Sequence, residues 1–373
     1  MDRVVIIRSN PVEPDSRVEK EAYTLAKAGY DVLLLVWDRD RSEDYQDKKV
    51  IADRSITRIG IGAPATYGEG KKNLKAFLRF QYGIMKWLRK HRDEYDIIHA
   101  CDFDTAFSTF LSTRFSSKKY IFDIFDYLGG DQNEPILMRL VEKMEALAVN
   151  SAQATIICTE KRKKQIAHCK PKNLTVIHNS PAQIPAQPMP VQSAGKTKIV
   201  YVGILQPGRF LPELIDVIQR RTDVELHIAG FGKLESYVNE AAGKTDNIFF
   251  YGKISYENTI FLESNCDIVT AIYDPSYSNH FYAAPNKFYE ALYLGKPLIM
   301  VRNTGMSEVV ERESVGVLID FNKESLDDGI SKLLAMKHEW PRIKERMQML
   351  YQQEYSWAIM EKRLVGVYGR IGS

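Results

Sequence analysis

The strongest constraint on this chain is an alternation of short apolar runs with helical stretches that stops once and then begins again. Before the stop, "RVVIIRS", "DVLLLVW", "RSITRIGIG", "YDIIHAC", "KYIFDIF", "ATIICT" and "LTVIHN" read as strands. "RVEKEAYTLAKAGY", "KNLKAFLRFQYGIMKWLRKHR" and "EPILMRLVEKMEALAVNSA" read as helices between them. Strand–helix alternation of this kind implies a parallel, doubly wound sheet. Residues 181–197, "PAQIPAQPMPVQSAGKT", break the pattern with four prolines and make a stiff, polar connection. The alternation then restarts with "KIVYVGI", "LPELIDVIQRR", "VELHIAG", "LESYVNEAAGK", "IFFYGKI", "NTIFLESN" and "DIVTAIY".

The expected fold class is therefore α/β, with two Rossmann-like doubly wound domains facing across a cleft. The first domain is expected over residues 1–180, the proline-rich linker over 181–195 and the second domain over 196–355. A length of 373 residues suits two domains. In open α/β sheets, ligands bind beyond the carboxyl ends of the strands, so the site is expected there. A net charge of only +3 offers no bulk attraction for nucleic acid. Cys101, Cys158, Cys169 and Cys266 show no paired metal spacing and read as buried thiols of a reducing compartment. The apolar part of "MDRVVIIRSN" is too short for a signal peptide, and no run of 18 apolar residues follows. The expectation is a cytoplasmic protein that does not span a membrane.

One stretch raises a chemical question. "AAPNKFYEALYLGKPLIM", residues 283–300, starts a helix after Pro285 with Asn286 and Lys287, then carries a single carboxylate, Glu290. Helix dipoles favour anions at the N-terminus. A helix start that adds a lysine to its own free N–H groups looks built to hold an external anion.

The ordered set "VYVGILQPGR", "LHIAGFGKLE", "FFYGKISYEN", "CDIVTAIYD", "APNKFYEALYLGKPLI", "TGMSEVV" and "VGVLID" resembles the donor domain of GT-B glycosyltransferases, especially the retaining family-four group. "SNPVEPDSRVEKEAYTLAKAGYDVLLLVWDRD" and "YDIIHACDFDTA" are similar to acceptor domains of the same group. The tail, 356–373, resembles the helix by which such enzymes cross back onto the first domain.

The resemblance implies that the helix after Pro285 points at the diphosphate of a nucleotide sugar. Lys287 adds a point charge there, and Asn286 caps the helix or contacts the sugar. Glu290 matches the glutamate that accepts both ribose hydroxyls. Arg209 follows as the second phosphate ligand, with Gly203 and Gly208 allowing close backbone approach. Gly230, in "AGFGKLE", and Ile254, in "YGKIS", are expected to line the base pocket. Lys287 and Arg209 carry the catalytic role of stabilising the leaving diphosphate. Two positions depart from the family pattern. Tyr282 stands where many members carry a first glutamate, and Ile204 stands where they usually carry an arginine.

On the acceptor side, Asp102-Phe103-Asp104 mimics a metal-binding Asp-x-Asp, yet no metal is expected in a chain of this type. His99 ends a strand, and Asp104 caps a helix or contacts the sugar. Asp123, Asp126 and Asp131 cluster after a strand, and Asp126 is the expected base if the reaction inverts. Arg17, with Lys20, comes from the loop after the first strand. Arg17, His99, Asp104 and Asp126 are thus the candidate substrate residues.

From Lys71 to Arg92 the chain carries eight basic residues and no acid on a helical pattern, with Leu74, Phe77, Leu78, Ile84, Met85 and Leu88 as its apolar side. Such a helix suits a membrane surface or a core-packed scaffold. The implied function is transfer of a sugar from a nucleotide-diphosphate sugar to a glycan or lipid-linked acceptor, in cell-surface polysaccharide or glycoconjugate synthesis. No cofactor is expected beyond that donor substrate. A nucleotide-sugar epimerase of similar fold and a non-catalytic sugar-nucleotide binder are the alternatives.

Overall fold

The computed structural model describes residues 2–66, 70–128, 136–182 and 188–372. Asp131 lies outside them, as does the middle of the linker, 183–187. The chain forms two compact units, residues 1–178 with 360–373, and residues 179–359.

The first unit is built on strands β1 (Arg3–Arg8), β2 (Asp31–Asp38), β3 (Tyr45–Ile51), β4 (Arg54–Gly62), β5 (Ile97–Cys101), β6 (Lys119–Ile124), β7 (Ala154–Ile157) and β8 (Leu174–Val176). They lie in the order β3-β4-β2-β1-β5-β6-β7-β8, parallel except for the antiparallel β3–β4 hairpin. Helices α1 (Ser16–Lys27), α2 (Leu74–Lys90), α3 (Phe103–Thr113), α4 (Ile136–Ser151) and α5 (Arg162–Gln165) accompany the sheet. The central strands are apolar on both sides because helices cover both faces.

Strand β3 has no counterpart in the sequence reading, and helix α3 is anticipated there only as a helix start at Asp104. Strand β3, "YQDKKVI", alternates half-buried and exposed residues, with Asp47 and Lys49 on the half-buried side paired to Arg58 at 2.6 Å and Glu19 at 3.0 Å. It is an edge strand, where charge discourages further pairing, so its hydrophobic signal is weak. Helix α3, "FDTAFSTFLST", is rich in Ser and Thr, which favour caps and turns. Tertiary burial overrides that preference, and the hydroxyls bond back along the helix, Thr109 to the Thr105 carbonyl at 2.9 Å and Thr113 to the Thr109 carbonyl at 2.9 Å.

The second unit has strands β9 (Thr197–Ile204), β10 (Val224–Phe231), β11 (Ile248–Phe250), β12 (Ile268–Ala271), β13 (Leu298–Val301) and β14 (Gly316–Ile319). All are parallel, in the order β11-β10-β9-β12-β13-β14. Its helices are α6 (Leu211–Gln219), α7 (Glu235–Lys244), α8 (Tyr256–Ser264), α9 (Ser278–Phe281), α10 (Asn286–Leu294), α11 (Ser307–Glu313), α12 (Lys323–Ala335) and α13 (Trp340–Leu350). The chain steps outward from β9 to β11, then returns to β12 on the other side of β9. The β9–β12 gap is therefore the topological switch point, where open α/β sheets place ligands.

The last helix, α14 (Trp357–Gly372), supplies side chains to the first unit. Tyr368 is fully buried and its hydroxyl lies 2.8 Å from His99 Nδ1. No helix among the described residues is long and apolar enough to cross a membrane.

Candidate active site

The second unit concentrates its unusual chemistry at the switch point. Helix α10 begins at Asn286, with Pro285 in the capping position, and no side chain caps it. Asn286 is thus the first helical residue and is exposed, so the capping role expected for it does not arise. The first turn contains no acid, so the free N–H groups and the dipole face an uncompensated end.

Lys287, one residue further, is buried at 8% exposure. Its ammonium lies 4.7 Å from the Tyr201 ring centre and 5.9 Å from that of Tyr273. It reaches back over β9, so that a methyl group built on Gly203 would lie 2.8 Å from Nζ. Gly203 holds φ at 151°, and its missing side chain is what lets the lysine in. Arg209 follows in the loop after β9, and its guanidinium stacks on the opposite partner of the gap, 4.1 Å from the Tyr273 ring centre. Its Nη1 is buried and makes no hydrogen bond. Neither cation has an ion pair among the described residues, and the two repel each other electrostatically. Glu290 and the two tyrosines favour the charged lysine, yet holding a buried and a half-buried cation close together remains costly unless an anion joins them.

Glu290, one turn into α10, is 3% exposed. The Tyr256 phenol of α8 sits beside it, and burial followed by the Glu290 charge pushes that phenol well above its usual range. Gly230 ends β10 opposite Gly203 in register. Its N–H donates to the Gly252 carbonyl at 2.8 Å, tying the "AGFG" turn to the "YGKIS" loop that holds Ile254. Exposed Ile204 and Phe231 flank these turns at the carboxyl ends of β9 and β10. The structure thus brings Gly203, Arg209, Pro285, Asn286, Lys287 and Glu290 around one strand gap, with Gly230 and Ile254 on the adjoining turns.

In the first unit the outcome differs. His99 is fully buried and Arg17 is 5% exposed. The Arg17 guanidinium grips Asp123 at 2.9–3.2 Å, Glu21 at 3.1 Å and the Ile177 carbonyl at 2.8 Å. His99 faces Asp123 at 3.4 Å and Tyr368 at 2.8 Å. These internal partners consume the polar atoms expected to meet substrate, and both residues instead brace the sheet end. Burial alone would raise Asp123, but the Arg17 charge and the His99 hydrogen bond hold it down at about 2. Burial and then the Asp123 charge push Glu21 well above the carboxylate range. Glu21, His99 and Asp123 have ligand atoms within 4.8 Å of one another, yet Arg17 already supplies the cation to both carboxylates.

Asp102, not Asp104, occupies the capping position of α3 and does not cap it. It adopts φ 64°, an outlier for a residue with a side chain, and its Oδ1 accepts the Phe125 N–H at 2.8 Å and the Asp126 N–H at 3.0 Å. Burial raises its carboxyl to about 6 against the pull of Arg8. Asp104 lies in the first turn of α3 with a buried Oδ1 that makes no hydrogen bond. Asp126 is exposed and pairs with Arg162 at 3.0 Å. The sequence reading missed Tyr201, Tyr273 and Arg8. The placement of Tyr273 and Arg8 at the carboxyl ends of β12 and β1 was the available signal for those two.

Comparison with solved structures identifies the fold. Sucrose-phosphate synthase from Thermosynechococcus elongatus matches at 16% identity and TM-score 0.77, covering 100% of this chain and 99% of that one. Anabaena Alr3699/HepE in complex with UDP-glucose matches at 12% identity and TM-score 0.74, covering 99% and 100%. An E. coli trehalose-6-phosphate structure bound with UDP-2-fluoro glucose matches at 10% identity and TM-score 0.75, covering 97% and 98%. No curated protein matches the sequence. The fold is GT-B, two parallel-sheet α/β domains. Two family models then divide the chain, Glycosyltransferase Family 4 over residues 17–180 and Glycosyl transferases group 1 over residues 188–354. The chain is a glycosyltransferase of the GT-B, family-four-like group.

Proposed function

We propose that this enzyme transfers a sugar from a nucleoside-diphosphate sugar to a glycan or lipid-linked acceptor. The observation that carries the donor assignment is a pair of cations without ion pairs among the described residues, buried Lys287 and half-buried Arg209, facing the switch-point gap beside an uncapped helix start. That arrangement suits a diphosphate. Glu290 would take the ribose hydroxyls, and the turns at Gly230 and Ile254 would line the base. Two of the solved relatives hold UDP-glucose and UDP-2-fluoro glucose, which supports a nucleotide sugar as donor. Transfer itself needs the sugar–phosphate bond to break while negative charge grows on the leaving diphosphate, and the two cations would stabilise that charge. On the acceptor side, Asp126 would accept the hydroxyl proton in an inverting course. Nucleotide release from a panel of nucleotide sugars tests the proposal; release from none of them contradicts it.

Glu290→Ala is expected to keep the fold and to weaken nucleotide binding about ten- to hundredfold, the loss of hydrogen bonds to a charged group. Calorimetric titration checks this, and unchanged affinity removes Glu290 from the ribose site.

We assign α2 to an anionic membrane surface, as a lipid-linked acceptor of a cell-surface polymer requires. The helix buries Phe80, Ile84 and Leu88. Leu74 and Leu78, read from sequence as part of the apolar side, are instead exposed, and with Tyr82 they form a ridge at four-residue spacing. Lys75, Lys86, Arg89 and Lys90 are exposed on the same helix, and Lys72 is exposed in the turn just before it. Apolar residues flanked by cations suit a bilayer interface, where each basic residue contributes about 1 kcal/mol. The Lys75→Glu/Lys86→Glu variant is expected to lose sedimentation with anionic vesicles while keeping nucleotide affinity. Wild-type protein that ignores such vesicles at low salt contradicts the assignment.

A further inference from the structure

Strand β8 is the last of the first sheet, and among the described residues no strand pairs with its outer side. An edge of this kind presents backbone groups that proteins usually cover. Here α14 lies against it, and the cover is made of cations. Arg363 Nη1 donates to the Val176 carbonyl at 3.0 Å, and Arg370 Nη2 donates to Thr175 Oγ1 at 3.0 Å. Lys362 stands beside them and is exposed. Strand and helix do not close on each other. A cavity of about 530 Å³ remains between them, the size of a small-molecule site.

The helix leaves the floor of that cavity bare. Arg363, Gly366 and Arg370 follow at three- and four-residue spacing, so they share one face of α14. Gly366 lies between the two arginines. Its backbone is not in the left-handed region, and beyond its own turn of helix a methyl group built on it would meet only Arg370 Nη1, at 3.7 Å. Neither backbone conformation nor packing therefore calls for glycine at this point, and glycine weakens a helix interior. A bare stretch of helix between two arginines suits the close approach of a ligand.

We propose that this cavity binds a phosphate-bearing ligand, with Arg363 and Arg370 gripping the phosphate over Gly366 and Lys362 adding charge at the rim. Three cations line the cavity against one carboxylate, Glu160. That carboxylate has a partner of its own, His178, 3.5 Å away. The guanidinium fork matches phosphate oxygens, and it offers five donors. Each arginine is already anchored to β8, one on a carbonyl and one on a hydroxyl, so little order is lost when an anion arrives. The site belongs to the first unit and shares no residue with the switch-point gap of the second. The same chemistry serves a soluble phosphate compound and a lipid headgroup, and the experiment separates the two.

The test uses the full chain carrying Lys287→Ala/Arg209→Ala, which removes the phosphate ligands proposed for the switch-point gap, and pyrophosphate as the probe at low salt. Calorimetric titration is expected to show one equivalent bound, with affinity falling as salt rises. Adding Arg363→Gln/Arg370→Gln is expected to lower that affinity at least about tenfold, the loss of charge-assisted hydrogen bonds. Adding Gly366→Ala instead fills the cavity floor. It is expected to lower affinity about fivefold while the unfolding temperature holds or rises, because alanine favours a helix interior. The glycine variant carries the test if the arginine variant does not fold. A parent chain that binds no pyrophosphate overturns the inference, as does unchanged affinity in either added variant. Phosphatidic acid vesicles, offered to the parent chain with Lys75→Glu/Lys86→Glu added, then name the source. Displacement of pyrophosphate assigns the site to a lipid headgroup, and its absence assigns the site to a soluble phosphate compound.

Discussion

Lys287→Ala and Arg209→Ala are each expected to lower kcat for sugar transfer about a hundred- to a thousandfold, with a smaller rise in KM for the donor. The direction follows from when the interaction matters. The diphosphate gains charge as its bond to the sugar breaks, so attraction to two fixed cations grows toward the transition state. Interactions stronger in the transition state than in the ground state raise turnover rather than affinity alone. Both side chains are already held in place, Lys287 between Tyr201 and Tyr273 and Arg209 on the Tyr273 ring, so little reorganisation accompanies the reaction. Because the two share one ring and one strand gap, the double variant should lose less than the product of the single losses. Steady-state kinetics of the three variants checks this. Wild-type turnover in both single variants places the phosphate site elsewhere.

Gly230→Ala is expected to have the largest effect among changes that remove no functional group. Gly230 holds φ at 146°, which residues with side chains rarely adopt, and a methyl group there would come within 1.9 Å of the Gly203 carbonyl oxygen. The nearest atom is backbone, so the ends of β9 and β10 must separate. The expected cost is about 2–4 kcal/mol of stability from strain and overpacking. Gly203 would move with its strand, and Gly203 is the residue that leaves room for Lys287. Nucleotide affinity should therefore fall at least about tenfold in whatever fraction still folds. Gly243→Ala provides the control. It lies in α7 with nothing within 4 Å of the added methyl group, and it should gain up to about 1 kcal/mol from helix propensity. Thermal unfolding and nucleotide titration of both variants check the contrast; equal behaviour contradicts it.

Much of the second unit was legible in the sequence. Its strands are apolar and short, its helices are bounded by Pro and Gly, and the order of motifs places the loop after β9 and the start of α10 together. Lys287 was readable because a cation at a helix start runs against the dipole. Tyr273 was not, since a tyrosine after a strand looks like core until the fold sets it beneath Arg209. In the first unit the charged residues at the carboxyl ends of strands were found, but their reach was misjudged. Arg17, His99, Glu21 and Asp123 satisfy one another across elements distant in sequence, and spacing along the chain carries no trace of such pairing.

The central claim is that Lys287 and Arg209 form the diphosphate site. The most direct measurement is calorimetric titration of wild type and the Lys287→Ala/Arg209→Ala variant with a nucleoside diphosphate and with the corresponding nucleoside, for uridine, adenosine and guanosine. Wild type is expected to prefer one diphosphate over its nucleoside by at least about a hundredfold, equivalent to about 2.7 kcal/mol, and the double variant is expected to lose most of that preference. A double variant that keeps the full preference for the diphosphate contradicts the claim.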